Sequence, residues 1–415
     1  MPMEKKLYPR EKYLSRIRPF YHDTEMIKVF SGVRRCGKSS LLLLVQEELR
    51  HGGVADRNIL SVNLDKRPYT RLKTTDALER VIDERFAGVD GVKYLFIDEV
   101  QNVKDFETSL NAYREEGDYS IFITGSNSYL LSGELVTKLT GRYLEVGMST
   151  LTFDEYIGMK RFLGKAVNPN ISEELRSFIL EGGFPYALNY DGLAEKRFYV
   201  QSVVDEIFEK DVNGNGKIRK KQLFNLVMQF IVNNFGCTVS VDNVVTHLKE
   251  VLHENVRKET VYAYIEQLEN LRIISKCARF DLKSKKSLKG GEKYYLSDLS
   301  FYFLRNTDNR IAYGPVLENI VYQYARSLGY QVSVGKVGKY EVDFIMRSPS
   351  LDYSYVQVSM YMLTDPSTEE REYRSLEAVR DNYPKYILTL DPVIQKRGGI
   401  IHANLAQFIC EGRAF

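Results

Sequence analysis

Long apolar runs are missing from this 415-residue chain. The richest near its start, Leu41 to Val45, is far too short to cross a bilayer, and no other stretch approaches the length required. A membrane-embedded function is therefore not expected. The opening MPMEKKLYPREKY carries charge with no apolar stretch behind it, which is not the pattern of a secretory signal. Cysteine is scarce as well. Cys36, Cys237, Cys277 and Cys410 are scattered without a C-x-x-C pair, so they are expected as reduced thiols of a cytoplasmic protein. His247 and His253 lie six apart, which is wrong for two ligands on one helical face, and no zinc site is expected. Charge of one sign is lacking too. A net charge of +3 implies no polyanion partner for the chain as a whole, so any basic surface must be local. An apolar content of 44% and a charged content of 27% fit a soluble globular protein with room for two to four domains.

What is present begins with Gly32 to Ser39, G-V-R-R-C-G-K-S, which fits the phosphate-loop pattern G-x-x-x-x-G-K-[ST]. Ile27 to Phe30 before it is a short apolar run with β-branched members, as a buried parallel strand should be. Lys38 to Glu48 after it has helical composition and no Gly or Pro. Gly32 and Gly37 permit a sharp turn whose N–H groups converge on a phosphate at a helix N-terminus. The candidate nucleotide contacts are therefore Gly32, Val33, Arg34, Arg35, Cys36, Gly37, Lys38, Ser39 and Ser40. Lys38 is expected to meet the terminal phosphates of ATP, and the Ser39 hydroxyl to ligate Mg²⁺.

Strands and helices then alternate. Strands are expected at Ile59 to Leu64, Tyr94 to Ile97, Ser120 to Thr124 and Tyr143 to Val146, with helices at 74–87, 104–116 and 132–140. That alternation predicts an α/β fold with a parallel sheet. The third strand ends in Y-L-F-I-D-E, delivering two carboxylates to the edge where such sheets bind ligands. Asp98 is the candidate Mg²⁺ holder and Glu99 the candidate general base. The fourth strand runs into T-G-S-N-S, where Ser126 or Asn127 is the candidate phosphate sensor; plain turn chemistry is the alternative. Arg142, in L-T-G-R-Y, is the candidate catalytic arginine, acting in cis or on a neighbouring subunit's nucleotide, with a surface salt bridge as the bland reading.

These motifs, with E-G-G-F-P at 181–185, give the chain a resemblance to bacterial and archaeal AAA+-type ATPases that carry a C-terminal domain of unassigned function. The resemblance implies Mg-ATP hydrolysis by a P-loop domain (1–150) followed by a helical segment. Helical patterns at 171–181 and 194–210 suit a helical lid over 151–215. Asp211 to Gly216, D-V-N-G-N-G, opens like a calcium loop. Its twelfth position is Gln222 and basic residues follow it, so an exposed interdomain turn is expected.

Residues 216–310 read as a winged helix: helices at Gln222 to Val232, from a Ser240 cap to Leu252, and at Glu259 to Leu271, then strands Arg272 to Leu282 and Glu292 to Leu296. The tip between the strands holds Lys283, Lys285, Lys286 and Lys289, with Gly290 and Gly291 expected at the turn. Those lysines are the candidate DNA contacts, because the third helix shows Glu259, Glu266 and Glu269 instead. A protein-contact module is the alternative.

From 311 to 415 the expected order is helix, three strands, helix, strand. With Glu318 in the helix, Asp343 in V-D-F-I and Gln357-Val358-Ser359 in the next strand, the segment resembles the restriction-endonuclease-like PD-(D/E)XK fold. Where that fold carries E-x-K, this chain has Q-V-S, so a small α/β nuclease-like domain without activity is expected, although Glu318, Glu341 and Asp343 retain metal-ligating chemistry. The whole reads as an ATPase acting on DNA, with a nucleotide-gated switch for a protein partner and an ATP-dependent endonuclease as the competing readings. Its partners are expected to be ATP and DNA, with a protein partner or a second copy also open.

Overall fold

The computed structural model describes residues 7–125, 139, 141–207, 209, 218, 220–253, 255–305 and 311–415. Its contacts divide the chain into two units, Met1–Met148 and Ser149–Phe415.

In the first unit, α1 (Glu11–Ile17) precedes β1 (Ile27–Gly32), α2 (Lys38–His51), β2 (Ile59–Asn63), α3 (Thr75–Phe86), β3 (Lys93–Asp98), α4 (Phe106–Glu116), β4 (Tyr119–Thr124) and β5 (Tyr143–Met148). Every residue of β1 and β4 is buried, whichever way its side chain points. Such strands must be covered on both faces, which is why they read as continuous apolar runs. Val29, Ile97 and Ile123 pack with Leu78 and Ile82 of α3 and Leu110 of α4. Among the described residues the strands form a parallel sheet in the order β2-β3-β4-β1-β5. The carboxyl ends of β1, β3 and β4 therefore share one edge. Most of the expected helix at 132–140 lies outside the described residues.

The second unit opens with α5 (Phe153–Phe162), α6 (Ile171–Glu181) and α7 (Leu193–Glu206). Thr152 and Glu155 close a capping box on α5, and Gly182 ends α6 at φ 76°. This helical segment is tied to the rest of the second unit through the Asp298 carboxylate. The Gly183 N–H donates to Asp298 at 2.8 Å and its carbonyl accepts from Leu151 at 2.8 Å. The calcium-like loop at 211–216 lies outside the described residues.

Next come α8 (Lys221–Asn233), β6 (Thr238–Val239), α9 (Val241–Leu252), α10 (Lys258–Asn270), β7 (Ile274–Asp281), β8 (Lys286–Leu296) and α11 (Ser300–Arg305). Ser240 caps α9 as expected, accepting from the Asn243 N–H. After α12 (Tyr313–Ser327) follow β9 (Gln331–Val337), β10 (Tyr340–Arg347), β11 (Tyr353–Val358), α13 (Pro366–Glu377), β12 (Lys385–Thr389), β13 (Lys396–Arg397), β14 (Ile400–Asn404) and α14 (Leu405–Cys410).

Strands β6 to β14 make one sheet, ordered β13-β14-β12-β11-β10-β9-β7-β8-β6. The join is parallel pairing of β7 with β9 at Arg279–Val334, Phe280–Gly335 and Asp281–Lys336. The sheet thus runs across the expected 310/311 boundary. One expectation is corrected here. Gly290 and Gly291 lie inside β8, at φ 81° and 68°, where the register against β7 shifts between Cys277 and Arg279. Two left-handed glycines accommodate that irregularity, and the turn itself falls at 282–285 with Lys285 at φ 56°. Lys286 and Lys289 are therefore strand residues.

Candidate functional site

The loop between β1 and α2 turns through Arg35 at φ 65° and Gly37 at φ 113°. Gly37 is the N-cap of α2 and supplies no side-chain cap, leaving first-turn N–H groups for an anion. A Cβ on Gly37 would meet nothing within 4 Å, so the glycine serves the backbone angle and the open space beside it. Lys38 is buried. Its ammonium donates to the carbonyls of Gly32 at 2.9 Å and Val33 at 3.3 Å, inside the loop, while Ser39 beside it is exposed. Arg10, also buried, braces the loop from outside by donating to the Cys36 carbonyl at 3.1 Å.

Asp98 closes β3 at the same edge. It accepts from the Asn63 amide at 2.6 Å and from the Thr124 hydroxyl. Glu99 leaves the strand in the left-handed region at φ 61°, a conformation a non-glycine residue adopts only when its surroundings hold it. What holds it is a hydrogen bond from the Glu99 N–H to Thr124 Oγ1 at 3.1 Å, with the Gln101 amide on its carboxylate at 2.6 Å. Thr124 thus joins the two acids to β4, and β4 lies between β3 and β1. Asn63, Thr124 and Arg10 were not singled out from sequence. Only Thr124 had a local signal, as the first residue of T-G-S-N-S. Ser126 and Asn127 lie outside the described residues.

Arg142 lies apart from these residues. Its carbonyl accepts from Ile27 N–H at 2.9 Å, so it sits at the amino end of β1, across the length of the sheet from the phosphate loop. Six residues of strand separate the two ends, about 20 Å. Its side chain is 45% exposed, donates to Asn111 at 3.1 Å and lies 3.7 Å from Glu115. That placement sets Arg142 away from its own chain's phosphate loop, and its contacts with Asn111 and Glu115 agree with the surface salt-bridge reading.

Residues 24–157 match the AAA domain family, and residues 172–308 match a domain of unknown function, DUF8612. An uncharacterised protein of Haemophilus influenzae is 32% identical over 390 residues, 93% of this chain and 94% of that protein. An uncharacterised protein of Methanocaldococcus jannaschii is 27% identical over 370 residues, covering 86% and 79% respectively. Among solved structures, a Walker-type ATPase of Pyrococcus abyssi superposes with TM-score 0.51 at 14% identity, over 72% of this chain and 96% of that one. The chain belongs to the family of the Haemophilus protein. Its first unit is an AAA+-type P-loop ATPase domain.

A second cluster lies in the other unit of this AAA+ protein. Glu318 of α12 accepts from Lys293 of β8 at 3.1 Å and from the Tyr295 hydroxyl at 2.8 Å. Lys293 also lies 3.1 Å from Glu341, which Arg279 approaches at 3.5 Å. Asp343 accepts from the Val358 N–H at 2.8 Å, and its own N–H donates to Gln357 at 3.2 Å. Glu318, Asp343 and Gln357 are therefore gathered at one place, with a lysine from the ribbon among them. Burial, then the neighbouring charge of Glu318, push Asp343 well above the usual carboxylate range. Burial works against the charge of Lys293, but Glu318, Asp343 and Glu341 outweigh it and hold the ammonium above its ordinary value. Lys293 and Tyr295 were missed from sequence, because nothing in K-Y-Y-L points to a helix 25 residues on. Among the described residues no group of three or more His, Cys, Asp or Glu is placed to hold a metal ion, and no helix is long and apolar enough to cross a membrane.

Proposed function

We propose that the protein binds and hydrolyses Mg-ATP in its first unit and uses the nucleotide state to govern a DNA-directed second unit. The observation that carries the reading is the pair Asp98–Glu99, held by Thr124 at the sheet edge that also presents the phosphate loop. The residues fit the ligand. A glycine-bounded loop, an uncapped helix start and a buried lysine supply donors, and Ser39 with Asp98 supplies hard oxygens suited to Mg²⁺. Bound there, Mg²⁺ would offset charge on the phosphates. Lys38 would bind and orient the triphosphate, and Glu99 would take a proton from the attacking water.

The order α8–β6–α9–α10–β7–β8, with β6 and β7 both pairing with β8, supports the winged-helix reading. The exposed face of α10 carries Glu259 and Glu266, so the DNA-facing element of that reading is the ribbon with Lys283, Lys285 and Lys286. The order α12–β9–β10–β11–α13–β12, antiparallel through β9–β11 and parallel at β12, supports the nuclease-like reading. The absence of the E-x-K residues, with Lys293 pairing Glu318 and Glu341, supports an inactive site there. The test is ATP turnover with and without DNA. Salt-sensitive DNA binding and DNA-stimulated turnover are expected. Slow turnover indifferent to DNA would instead favour a nucleotide-gated switch for a protein partner.

A further inference from the structure

The turn joining β7 to β8, the β9–β10 turn and the end of α13 enclose a groove of about 1370 Å³ in the second unit. That exceeds the roughly 300–1,000 Å³ of small-molecule sites, so its size suits an extended ligand. Cations reach it from separate elements: Lys283 and Lys285 from the ribbon, Lys339 from the β9–β10 turn, Arg347 from the end of β10 and Arg380 from beyond α13. Among the described residues none of these five is paired with a carboxylate, and the buried Nε of Arg347 has no hydrogen-bond partner. The two acids in the wall are already engaged. Glu377 lies 3.1 Å from Arg397, and Asp381 accepts the Tyr355 hydroxyl at 2.6 Å.

Aromatic rings alternate with these charges. Lys339 stands 5.3 Å from the Tyr340 ring, Arg347 stands 5.9 Å from the Tyr353 ring, and Tyr383 meets Tyr353 at 5.4 Å between centroids. Tyr383 is 45% exposed. Unpaired cations beside the exposed Tyr383 and the half-buried Tyr353 are complementary to phosphates and unstacked bases, whereas a duplex keeps its base faces covered. We propose that this groove holds a single-stranded segment of nucleic acid, its phosphates on Lys283, Lys339 and Arg380 and its bases against Tyr353 and Tyr383. Glu318, Asp343 and Gln357 do not line the groove, so the strand is held apart from the carboxylate cluster. The proposal rests on the DNA-directed reading for its class of ligand and deepens it by naming the face and the form.

The test is fluorescence anisotropy of the full chain with a labelled oligonucleotide of about 15 nucleotides, its duplex, and polyglutamate as an acidic-peptide probe. The single strand is expected to bind tighter than the duplex. Three phosphate contacts predict a log–log salt slope of about −2. The pair Lys339→Glu and Arg380→Glu is expected to weaken single-strand binding at least about tenfold, and Tyr383→Ala about fivefold with the slope unchanged. ATP turnover without DNA should not move in either variant, and an unchanged urea midpoint of the second unit shows that the groove's own unit is still folded. Unchanged affinity in these variants, with loss in Lys286→Glu (a ribbon residue that does not line the groove), would overturn the groove and leave the DNA-directed reading standing. Duplex binding as tight as the single strand would overturn the single-stranded form. Polyglutamate binding that the groove variants abolish would overturn nucleic acid as the ligand. No oligonucleotide binding at all would remove both readings.

Discussion

Lys293 of β8 places its ammonium 3.1 Å from the carboxylate of Glu318 on α12, and both side chains are nearly buried. The lysine belongs to the ribbon and the glutamate to the helix that opens the C-terminal segment, so the pair fastens two stretches that read as separate domains. Removing one partner of a buried pair leaves the other charge uncompensated, at a cost of roughly 3–5 kcal/mol. Lys293→Met should lower the urea midpoint of the second unit accordingly. The double change Lys293→Met with Glu318→Leu should cost less than the two single changes added. Strict additivity would show that the contact carries no coupling.

The same pair bears on cleavage. With an ammonium between Glu318 and Glu341, and Gln357 where a carboxylate would be needed, the protein is expected to leave supercoiled plasmid intact in Mg²⁺. Nicking that disappears in Asp343→Ala would reverse that expectation.

The engine makes a sharper prediction. Lys38→Ala should abolish nucleotide binding. Glu99→Gln should retain it while turnover falls about 10²–10⁴-fold, the usual worth of a positioned base. Thr124 acts through Asp98 and Glu99, so Thr124→Val should lower turnover and raise the Mg²⁺ concentration needed for half-maximal rate. Thr124→Ser, which keeps the hydroxyl, should restore both. A Thr124→Val enzyme with wild-type Mg²⁺ dependence would separate Thr124 from the site.

How much of this could be read beforehand depends on the range of the interaction. β1, the loop and the start of α2 were legible because a continuous apolar run, two glycines and a lysine lie side by side. So was the end of α6, where Gly182 stops the helix. Strand order is not a local property, and only the position of β4 beside β3 makes Thr124 a bridge rather than a turn residue. The reading of Arg142 stayed open for the same reason. The motif L-T-G-R-Y gives no sign of which end of the sheet it occupies. Gly290 and Gly291 were misplaced because paired glycines signal a turn and a bulge equally well.

The placement of Arg142 yields its own prediction. At high dilution Arg142→Ala should change ATP turnover less than about twofold, since an exposed arginine–glutamate contact is worth little. Loss of activity that grows with protein concentration in the wild-type comparison would reveal an arginine serving a neighbouring subunit.

Lys28 gives the pH dependence. It sits near the amino end of β1, donating to Ser120 at 2.9 Å and to the Asp23 carbonyl at 2.5 Å and lying over the Phe122 ring at 4.6 Å. Burial lowers its pKa from 10.5 to about 7, against a smaller opposing pull from Asp23. Between those two values the unfolded chain holds a proton that the folded chain lacks, so stability rises with pH. Below the folded value both states are protonated and the slope vanishes. The gain should approach about 1 kcal/mol per pH unit from pH 7 to 9. Lys28→Met removes the titrating group and with it the hydrogen bond to Ser120, whose loss adds a constant offset. Urea midpoints of the first unit, measured across that range for wild type and Lys28→Met, should therefore draw apart as pH rises. Curves that stay parallel would mean that Lys28 keeps its proton in the folded sheet, with Asp23 and Ser120 supplying what burial takes away.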